Sequence, residues 1–412
     1  MPNPIGRNAL YDTDTLADIV TGRSRSIFAD ARESRAKDLR ERLNGARVLV
    51  CGGAGTIGSE TVKLIAEHET AALHVTDLSE NYLADLVRDL RNRAGGVAAR
   101  EFRTFTLDYG GEATAHLLAH APAYDFVLSF AAHKHVRGER DGYSLLSMVD
   151  TNILKLASFK ERLRTHGHGR SLFSVSTDKA ANPSSLMGAS KRVMEDVLFT
   201  HAPLEGGRVT TARFANVAFS NGSLLQAFLR RLSRGEPLAV PEATKRYFVS
   251  PQEAGELCLL ASVVAEDGAI AIPDLDPEAE LIELQTIAEA LLAHMGFEPR
   301  ATRDEAEALA LAREPTGRSY PLLLTPLDTG GEKPYEEFVA TGETDASWLP
   351  GLRQIPHRPP KHGVGAVLER LTRIRQTGGT EEEIADAIRG AFQDTIDQFD
   401  HRRSERNLDE RL

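Results

Sequence analysis

Three consecutive polar side chains near the middle of the chain carry the groups needed for proton transfer. Thr177, Asp178 and Lys179 present a hydroxyl, a carboxylate and an ammonium group, and Lys191 follows at the start of a predicted helix. Such groups donate and accept protons in general acid–base catalysis when they lie close to a substrate. The plainer alternative is that Asp178 caps the next turn and Lys179 lies on the surface. We predict that this stretch is a catalytic centre.

A loop with three glycines is typical of a phosphate-binding turn. Gly52, Gly55 and Gly58 stand at three-residue spacing between an apolar run at 48–51 and a helical pattern. Small residues are required where a pyrophosphate contacts the backbone amides at a helix N-terminus. The alternative is a tight turn that binds no ligand. The context on both sides of the loop favours a nicotinamide dinucleotide.

Asp77 indicates which dinucleotide is bound. It ends the next predicted strand, 19 residues after Gly58, where an acid accepts hydrogen bonds from ribose hydroxyls and repels a 2'-phosphate. NAD is therefore favoured over NADP, although Ser79 could meet a phosphate, and helix capping is the alternative role for Asp77. Asp108, at the end of the third strand, either contacts the adenine or is a plain loop acid. The predicted cofactor-binding residues are Gly52, Gly55, Thr56, Ile57, Gly58, Asp77, Ser79, Asp108, Ala131 and Lys191.

The elements that must position these residues alternate between strand and helix patterns. Helical patterns separate apolar runs at 48–51, 72–76, 102–107, 126–131, 172–176 and 209–214. Strands joined by helices are parallel, so the pattern predicts an α/β fold, a Rossmann-type doubly wound sheet with helices on both faces. Ligand chemistry in such sheets takes place at the carboxyl ends of the strands, and Thr177 follows directly after one.

The chain divides into four predicted units. Residues 1–44 form an N-terminal helical extension, 45–235 the NAD(P)-binding Rossmann domain, 236–355 a smaller substrate-binding region interleaved with it, and 356–412 a C-terminal helical extension. A proline-rich stretch at 355–360 marks the last boundary. Thr380, followed by three glutamates, predicts the start of a helix in the last unit.

Composition excludes several classes of protein. Of the 412 residues, 41% are hydrophobic and 26% charged, and the formal net charge of -11 argues against nucleic acid or an anionic membrane as a partner. The two cysteines, Cys51 and Cys258, are too few for a disulfide framework or a zinc site, and no metal site is predicted. We find neither a signal sequence nor an apolar run of membrane-spanning length, so the expected location is the cytoplasm.

Further motifs resemble one enzyme family. Met187-Gly-Ala-Ser-Lys191 stands where most extended short-chain dehydrogenase/reductases have Tyr-x-x-x-Lys, and residues 131–137, 213–217 and 331–337 carry further matches. Together with the Thr-Asp-Lys stretch, the pattern resembles the configuration-retaining UDP-N-acetylglucosamine 4,6-dehydratases of bacterial glycan synthesis. The resemblance covers roughly residues 20–345. It implies that hydride leaves carbon 4 of the sugar, water leaves carbon 6, and the hydride returns to carbon 6, so that a tightly held cofactor is recycled.

The resemblance implies a role for each catalytic candidate. Thr177 and Asp178 would act on the 4-hydroxyl, and Asp178 would also be the acid for the departing water. Lys179 would be the base at carbon 5, which requires a lowered pKa. Lys191 would bind the nicotinamide ribose, and Met187, in place of the tyrosine, would line the pocket as a packing residue.

The resemblance also implies the substrate-binding residues. They are Asn216, Ser223 and Arg246, and Lys134 and His135 are expected near the cofactor or the substrate, each with a purely structural alternative. Asp328-Thr329-Gly330 stands where many relatives have an arginine and a proline before Gly-Glu-Lys. We expect Lys245 or Arg246 to replace that arginine.

Two other functions compete with the dehydratase. A nucleotide-sugar 4-epimerase shares the first hydride step but keeps the 6-hydroxyl, and a cofactor-binding regulator would carry out no reaction. The intact acid and lysines favour the dehydratase. A homo-oligomer is expected, and an aminotransferase is the expected recipient of the 4-keto product.

Overall fold

The computed structural model describes residues 13–134, 139, 141–313, 317–326, 335–397, 399 and 401. Within them the strands are β1 (Arg47–Cys51), β2 (Ala72–Asp77), β3 (Phe102–Thr106), β4 (Phe126–Ser129), β5 (Ser171–Val175), β6 (Arg208–Ala212), β7 (Asn216–Val217), β8 (Leu238–Pro241), β9 (Lys245–Arg246), β10 (Phe248–Val249), β11 (Ala269–Pro273), β12 (Ile282–Glu283), β13 (Glu298–Thr302), β14 (Ser319–Thr325), β15 (Ala346–Leu349) and β16 (Leu352–Pro356).

Nine of these strands form one sheet in the order β15-β16-β11-β6-β5-β4-β1-β2-β3. In this order, the seven neighbouring strands from β11 across to β3 all pair in parallel. Strands β16 and β15 pair in antiparallel fashion and complete the sheet at the β11 side. Every residue of β4 and β5 is buried, as expected of strands covered by helices on both faces. The predicted doubly wound α/β sheet is confirmed. One detail of the prediction is wrong, because β4 ends at Ser129 and Ala131 lies in the loop after it.

Helices cover both faces of the sheet. They are α1 (Thr13–Thr21), α2 (Ala29–Ser34), α3 (Ala36–Leu43), α4 (Thr56–Ile65), α5 (Glu80–Asn92), α6 (Glu112–His120), α7 (Gly142–Val149), α8 (Lys155–Thr165), α9 (Leu186–Thr200), α10 (Leu224–Arg234), α11 (Pro251–Val263), α12 (Pro277–Glu280), α13 (Leu284–His294), α14 (Glu305–Arg313), α15 (Gly365–Thr377) and α16 (Glu381–Gln393). A π-helical turn at Asp150–Leu154 joins α7 to α8, and a 3-10 turn at Asp178–Ala180 follows β5.

The region after β6 contributes both to a small sheet with its own hydrophobic core and to the main sheet. Its strands β8, β13 and β14 form a small sheet, which shares a hydrophobic core with α1, α10 and α13. The same stretch of chain also supplies β11, β15 and β16 to the main sheet and α11 to the face that carries α4. The region after β6 is therefore anchored to the edge of the main sheet by three strands.

The C-terminal helices cover the other face of the sheet. Helix α16 begins after Thr380, whose hydroxyl accepts a hydrogen bond from the Glu383 amide, so the predicted helix start is confirmed. It packs against α7 and α9, and α15 packs against the π-helical turn. Ile384, Ile388 and Phe392 of α16 are buried in the core on that side.

The lengths of the described helices can be compared with the length that a membrane-spanning helix needs. The longest helix in the described part of the chain is α9, with 15 residues. No helix there has the length and apolar character needed to cross a bilayer.

Candidate active site

Close contacts require glycine at two of the three glycine positions in the loop between β1 and α4. Gly52 has φ +67, and a Cβ there would lie 2.6 Å from the backbone nitrogen of Ala131. A Cβ on Gly58 would lie 2.6 Å from the carbonyl oxygen of Gly52, so the helix could not approach the loop. Gly55 lines the cleft, and a Cβ there would meet only that oxygen, at an ordinary contact distance of 3.7 Å. The loop thus leaves room beside the N-terminus of α4, which fits the pyrophosphate of a dinucleotide.

Asp77 is held against the glycine loop. Its Oδ2 accepts a hydrogen bond from the Ala54 amide at 3.1 Å, and its Oδ1 accepts one from the Ser79 amide at 2.9 Å. Ser79, not Asp77, is the N-cap of α5, because its hydroxyl accepts from the Tyr82 amide. The capping alternative for Asp77 is therefore wrong. Ser79 is absent from the cleft lining, where Leu78 and Tyr82 appear with 71% and 45% of their surfaces exposed.

Leu78 and Tyr82 escape sequence reasoning because each is an apolar residue in an ordinary helix-start context. Their exposure is the signal that only the structure gives. Apolar side chains exposed next to a candidate ribose-binding acid offer a surface for a flat base.

One cleft joins the glycine loop to the Thr177–Lys179 stretch. It has a volume of about 790 Å³ and runs along the carboxyl ends of the parallel strands. The predicted residues that line it are Gly52, Gly55, Thr56, Ile57, Gly58, Asp77, Asp108, Ala131, Lys134, Thr177, Asp178, Lys179, Met187, Lys191, Asn216 and Ser223. Ser79 and Arg246 do not line it, and the predicted His135 lies outside the described residues.

The carboxylate of Asp178 is the centre of the candidate acid–base group. It is 3% exposed, and its Oδ1 accepts hydrogen bonds from the Thr177 hydroxyl at 2.7 Å, the Lys179 amide at 2.9 Å and the Lys179 ammonium at 3.2 Å. Thr177 is the N-cap of the 3-10 turn that carries both residues. The turn thus fixes all three side chains at the end of β5.

Lys179 does not have the lowered pKa that the sequence-based mechanism requires. Burial acts to lower the pKa, but the carboxylates of Asp178 and Glu336 more than offset it and raise the pKa above its usual value. The Lys179 nitrogen lies 3.7 Å from Oε1 of Glu336, which is 4% exposed. Sequence reasoning missed Glu336 because it is distant in the chain, although it lies within the 331–337 motif.

Lys191 and Met187 lie on the first turns of α9. Lys191 is 4% exposed and donates a hydrogen bond to the Val175 carbonyl at 2.6 Å. Burial lowers the pKa of Lys191 to about 8, against the opposing effect of Glu195. Met187 is 2% exposed and lines the cleft, and its amide donates to Glu139 Oε1 at 2.8 Å.

Asn152 in the π-helical turn fixes the loop after β4. Its Oδ1 accepts from the His133 amide at 2.8 Å, and its Nδ2 donates to the His133 carbonyl at 2.9 Å and the Ser190 hydroxyl at 3.0 Å. The side chain therefore ties the loop that carries Lys134 to the helix that carries Lys191. A π-helical turn is frequently found at such functional positions. The signal in the sequence is a buried asparagine within an apolar helical pattern.

A buried ion-pair network lies behind the Thr177–Lys179 turn. Arg213 is fully buried and binds both Glu195 at 2.7 Å and Glu343 at 2.6 Å. It also donates to the Phe338 carbonyl at 2.9 Å, and the Ser176 hydroxyl donates to Glu195 at 2.5 Å. The guanidinium thereby joins the end of β5 to the segment that carries Glu336.

The remaining predicted residues divide between the cleft and its surroundings. The Asn216 side chain donates to the Tyr247 carbonyl at 3.3 Å, and the Ser223 hydroxyl caps α10 by accepting from the Gln226 amide. Lys134 reaches the Ser220 hydroxyl at 3.4 Å. Arg246 is 9% exposed and lies near enough to Lys179 to oppose its positive charge.

Asp108 is occupied by an ion pair. Its carboxylate is 2.6 Å from the Lys155 nitrogen, and that bond holds its pKa below the usual value although burial opposes the change. Lys155 also lies 3.8 Å from Asp150, which binds Arg375 of α15 at 2.7 Å. A chain of charges therefore connects the C-terminal helices to the cleft.

Comparison with known proteins gives consistent matches. A family model described as "Polysaccharide biosynthesis protein" matches residues 48–347. The probable polysaccharide biosynthesis protein EpsC of Bacillus subtilis is 25% identical over 346 residues, which are 82% of this chain and 53% of EpsC. The UDP-N-acetylglucosamine 4,6-dehydratase (inverting) of Campylobacter jejuni is 25% identical over 273 residues, which are 61% of this chain and 73% of that enzyme. The chain spans about half the length of the first curated relatives it matches.

Among solved structures, Pen from Bacillus thuringiensis has the same fold. It superposes with a TM-score of 0.62 at 20% sequence identity, covering 85% of this chain and 98% of Pen.

Proposed function

The chain belongs to the polysaccharide biosynthesis protein family, and we propose that it is a nucleotide-sugar 4,6-dehydratase acting on UDP-N-acetylglucosamine or a close UDP-N-acetylhexosamine. The observation that carries the proposal is the Asp178–Lys179 pair, 3.2 Å apart, on the same cleft as the glycine loop. An acid–base pair at this edge serves a reaction that removes a proton and a hydroxyl group. The Campylobacter jejuni relative, named for this reaction, supports the assignment.

The cofactor of this reaction is a nicotinamide dinucleotide in our proposal. When bound, it supplies the acceptor for hydride from carbon 4 and the donor of hydride to carbon 6. The glycine loop leaves space for the pyrophosphate, and Lys191 lies where β5 ends, in reach of the cleft. The Asp77 carboxylate repels a 2'-phosphate, so we propose NAD in preference to NADP.

Two residues carry out the proton transfers of the reaction, and the protons balance over the whole cycle. Asp178 accepts the proton of the 4-hydroxyl and later gives it to the 6-hydroxyl, which leaves as water. Lys179, as the amine, takes the proton from carbon 5 and returns it to the same carbon. Both side chains then regain their starting states, and the product differs from the substrate by one molecule of water. Thr177, bonded to Asp178 at 2.7 Å, orients the carboxylate.

The diphosphate of the substrate needs hydrogen-bond donors. The N-terminus of α10, capped by Ser223, opens on the cleft beside Asn216. A helix N-terminus attracts phosphate through its free amides and its dipole. We therefore assign the diphosphate to this end, with Lys134, whose ammonium lies 3.4 Å from the Ser220 hydroxyl, beside it.

The test is incubation of the purified protein with UDP-N-acetylglucosamine and mass spectrometry of the product. Loss of one water supports the dehydratase, an unchanged mass with a new epimer identifies a 4-epimerase, and no reaction refutes both. Asp178→Asn lowers the rate of water loss roughly 10²–10⁴-fold, the usual contribution of such a group. Lys361→Met is the control, since Lys361 is an exposed lysine paired with Asp397.

The configuration at carbon 5 needs a separate measurement. We propose retention, because Met187 takes the place of the tyrosine, whereas the Campylobacter jejuni relative is named as inverting. Proton coupling constants of the product distinguish the two configurations.

A further inference from the structure

Lys179 lies between two buried carboxylates. Its nitrogen is 3.2 Å from Asp178 Oδ1 and 3.7 Å from Glu336 Oε1. Asp178 lines the cleft, whereas Glu336 does not and is only 4% exposed. The lysine therefore has one carboxylate at the substrate and a second one away from it.

We propose that Glu336 acts through Lys179, by accepting the proton of the Lys179 ammonium before the amine takes the proton from carbon 5. The inference rests on the proposed dehydratase function. When the 3.7 Å separation shortens to a hydrogen bond, an N–H bond of Lys179 breaks and an O–H bond of Glu336 forms, so the pair changes from ammonium and carboxylate to amine and carboxylic acid. The proton stays within the Lys179–Glu336 pair in this step. Glu336 is thus a positioning residue for Lys179.

Asp178 cannot serve as this acceptor in the proposed cycle. It must be a carboxylate when the 4-hydroxyl loses its proton, and it then carries that proton to the departing water. A proton taken from Lys179 would occupy it before the first step. A second carboxylate beside Lys179 removes this conflict, and among the residues that the structure describes Glu336 takes that position, 3.7 Å from the Lys179 nitrogen.

The position of Glu336 is fixed by the protein core. Two residues further along, the Phe338 carbonyl accepts a hydrogen bond from the buried Arg213 at 2.9 Å. Glu343 binds the same guanidinium at 2.6 Å and the Arg192 guanidinium at 2.7 Å.

The charges that face Lys179 come from its own 3-10 turn and from β9. Asp178 on the 3-10 turn favours the ammonium, and Arg246 on β9 opposes it. Because Lys179 and Glu336 hold one proton between them, their total proton content stays constant over a wide pH range. The wild-type rate of water loss is therefore not limited by release of the Lys179 proton to solvent.

The first test uses the enzyme without substrate. Wild type, Glu336→Gln and Glu337→Gln are labelled with acetic anhydride at a series of pH values, and acetylation of Lys179 is measured by peptide mass spectrometry. Glu337 is the matched control, as an adjacent exposed glutamate that binds Asn182. Loss of a nearby carboxylate lowers the pKa of an ammonium group, so the labelling midpoint of Lys179 moves to lower pH in Glu336→Gln only. At a pH below both midpoints, labelling rises about tenfold for each pH unit of the shift. An unchanged midpoint overturns the inference.

The second test follows loss of water from UDP-N-acetylglucosamine from about pH 6 to about pH 9. In Glu336→Gln the lysine must release its proton to solvent, so the rate relative to wild type rises about tenfold per pH unit below the labelling midpoint and levels off above it. Titration of Lys191 affects both enzymes and cancels in this ratio. Glu336→Asp restores part of the wild-type profile, and Glu337→Gln keeps all of it. A merely structural role would lower the ratio equally at every pH, which overturns the inference.

The two proposals fail in different ways. A wild-type enzyme that removes no water refutes the dehydratase function, whereas the labelling of Lys179 still reports on its pairing with Glu336. If the wild-type enzyme removes water but the rate of Glu336→Gln relative to wild type is the same at every pH, only the role of Glu336 is refuted.

Discussion

Replacing Lys191 by methionine tests whether burial of this lysine destabilises the fold. The pKa of Lys191 falls from its ordinary 10.5 to about 8, chiefly because the side chain is buried. At about 1.4 kcal/mol per pH unit, the protonated lysine costs the folded state about 3 kcal/mol. The cost is fully present below pH 8. It disappears as the pH rises toward 10.5, because over that interval the unfolded chain binds more protons than the folded one.

The variant also loses the hydrogen bond to the Val175 carbonyl. That bond contributes about 1 kcal/mol at any pH. We therefore expect Lys191→Met to be about 2 kcal/mol more stable than wild type at pH 7 and about 1 kcal/mol less stable above pH 10. The single tryptophan, Trp348 in β15, reports urea unfolding of the main sheet by its fluorescence.

Lys160 offers a matched control. It is fully buried on α8, donates to the Leu198 carbonyl, and has a pKa that burial lowers to about 8. Lys160→Met should show the same dependence of stability on pH while it keeps dehydratase activity, which Lys191→Met should lose. If the stability difference between Lys191→Met and wild type is the same at pH 7 and above pH 10, the reasoning about its burial is wrong.

Three further predictions concern the cofactor site and the buried ion pairs. Gly58→Ala lowers both the unfolding temperature and the affinity for NAD, because its Cβ would lie 2.6 Å from a backbone oxygen. Gly55→Ala weakens only the affinity for NAD. Calorimetry with and without NAD separates the two effects. Asp77→Asn lowers the ratio of NAD to NADP affinity about tenfold, or about 1.4 kcal/mol, because the repulsion of a 2'-phosphate is lost, and titration with each dinucleotide measures it. Arg213→Met lowers the free energy of unfolding by about 3–5 kcal/mol, as measured in urea, because Glu195 is left buried without its cation. The first prediction is contradicted if both alanine variants unfold at the same temperature, and the second if the affinity ratio is unchanged. The third is contradicted if Arg213→Met loses less than about 1 kcal/mol of unfolding free energy.

The sequence predicts well what depends on local patterns. The strands from β1 to β6 follow from apolar runs between helical patterns, and the glycine loop follows from spacing. The position of Thr177 at the end of β5 needs only the rule that ligands meet parallel sheets at the carboxyl ends of their strands. The start of α16 after Thr380 follows from a capping signal within four residues.

What the sequence could not supply depends on segments that are distant in the chain. The lowered pKa expected for Lys179 is wrong, because Asp178 and Glu336 raise it, and the approach of Glu336 depends on a distant segment. Likewise, no local signal places β15 and β16 at the edge of the main sheet, since antiparallel addition at an edge depends on how the intervening chain folds. The sequence leaves Asp108 as either an adenine contact or a plain loop acid, and its pairing with Lys155 depends on where α8 packs.

The pairing of Arg213 with Glu343 has a consequence for biosynthesis. The two residues are 130 positions apart, so a ribosome adding about 5–20 residues per second makes the second roughly 6–26 s after the first. During that time the guanidinium lacks one of its two carboxylates, and the strands β15 and β16, which complete this side of the sheet, have not yet been made. An open strand edge can pair with other chains. A chaperone that binds the nascent chain in this interval would therefore increase the yield of folded protein more than one that acts on the finished chain.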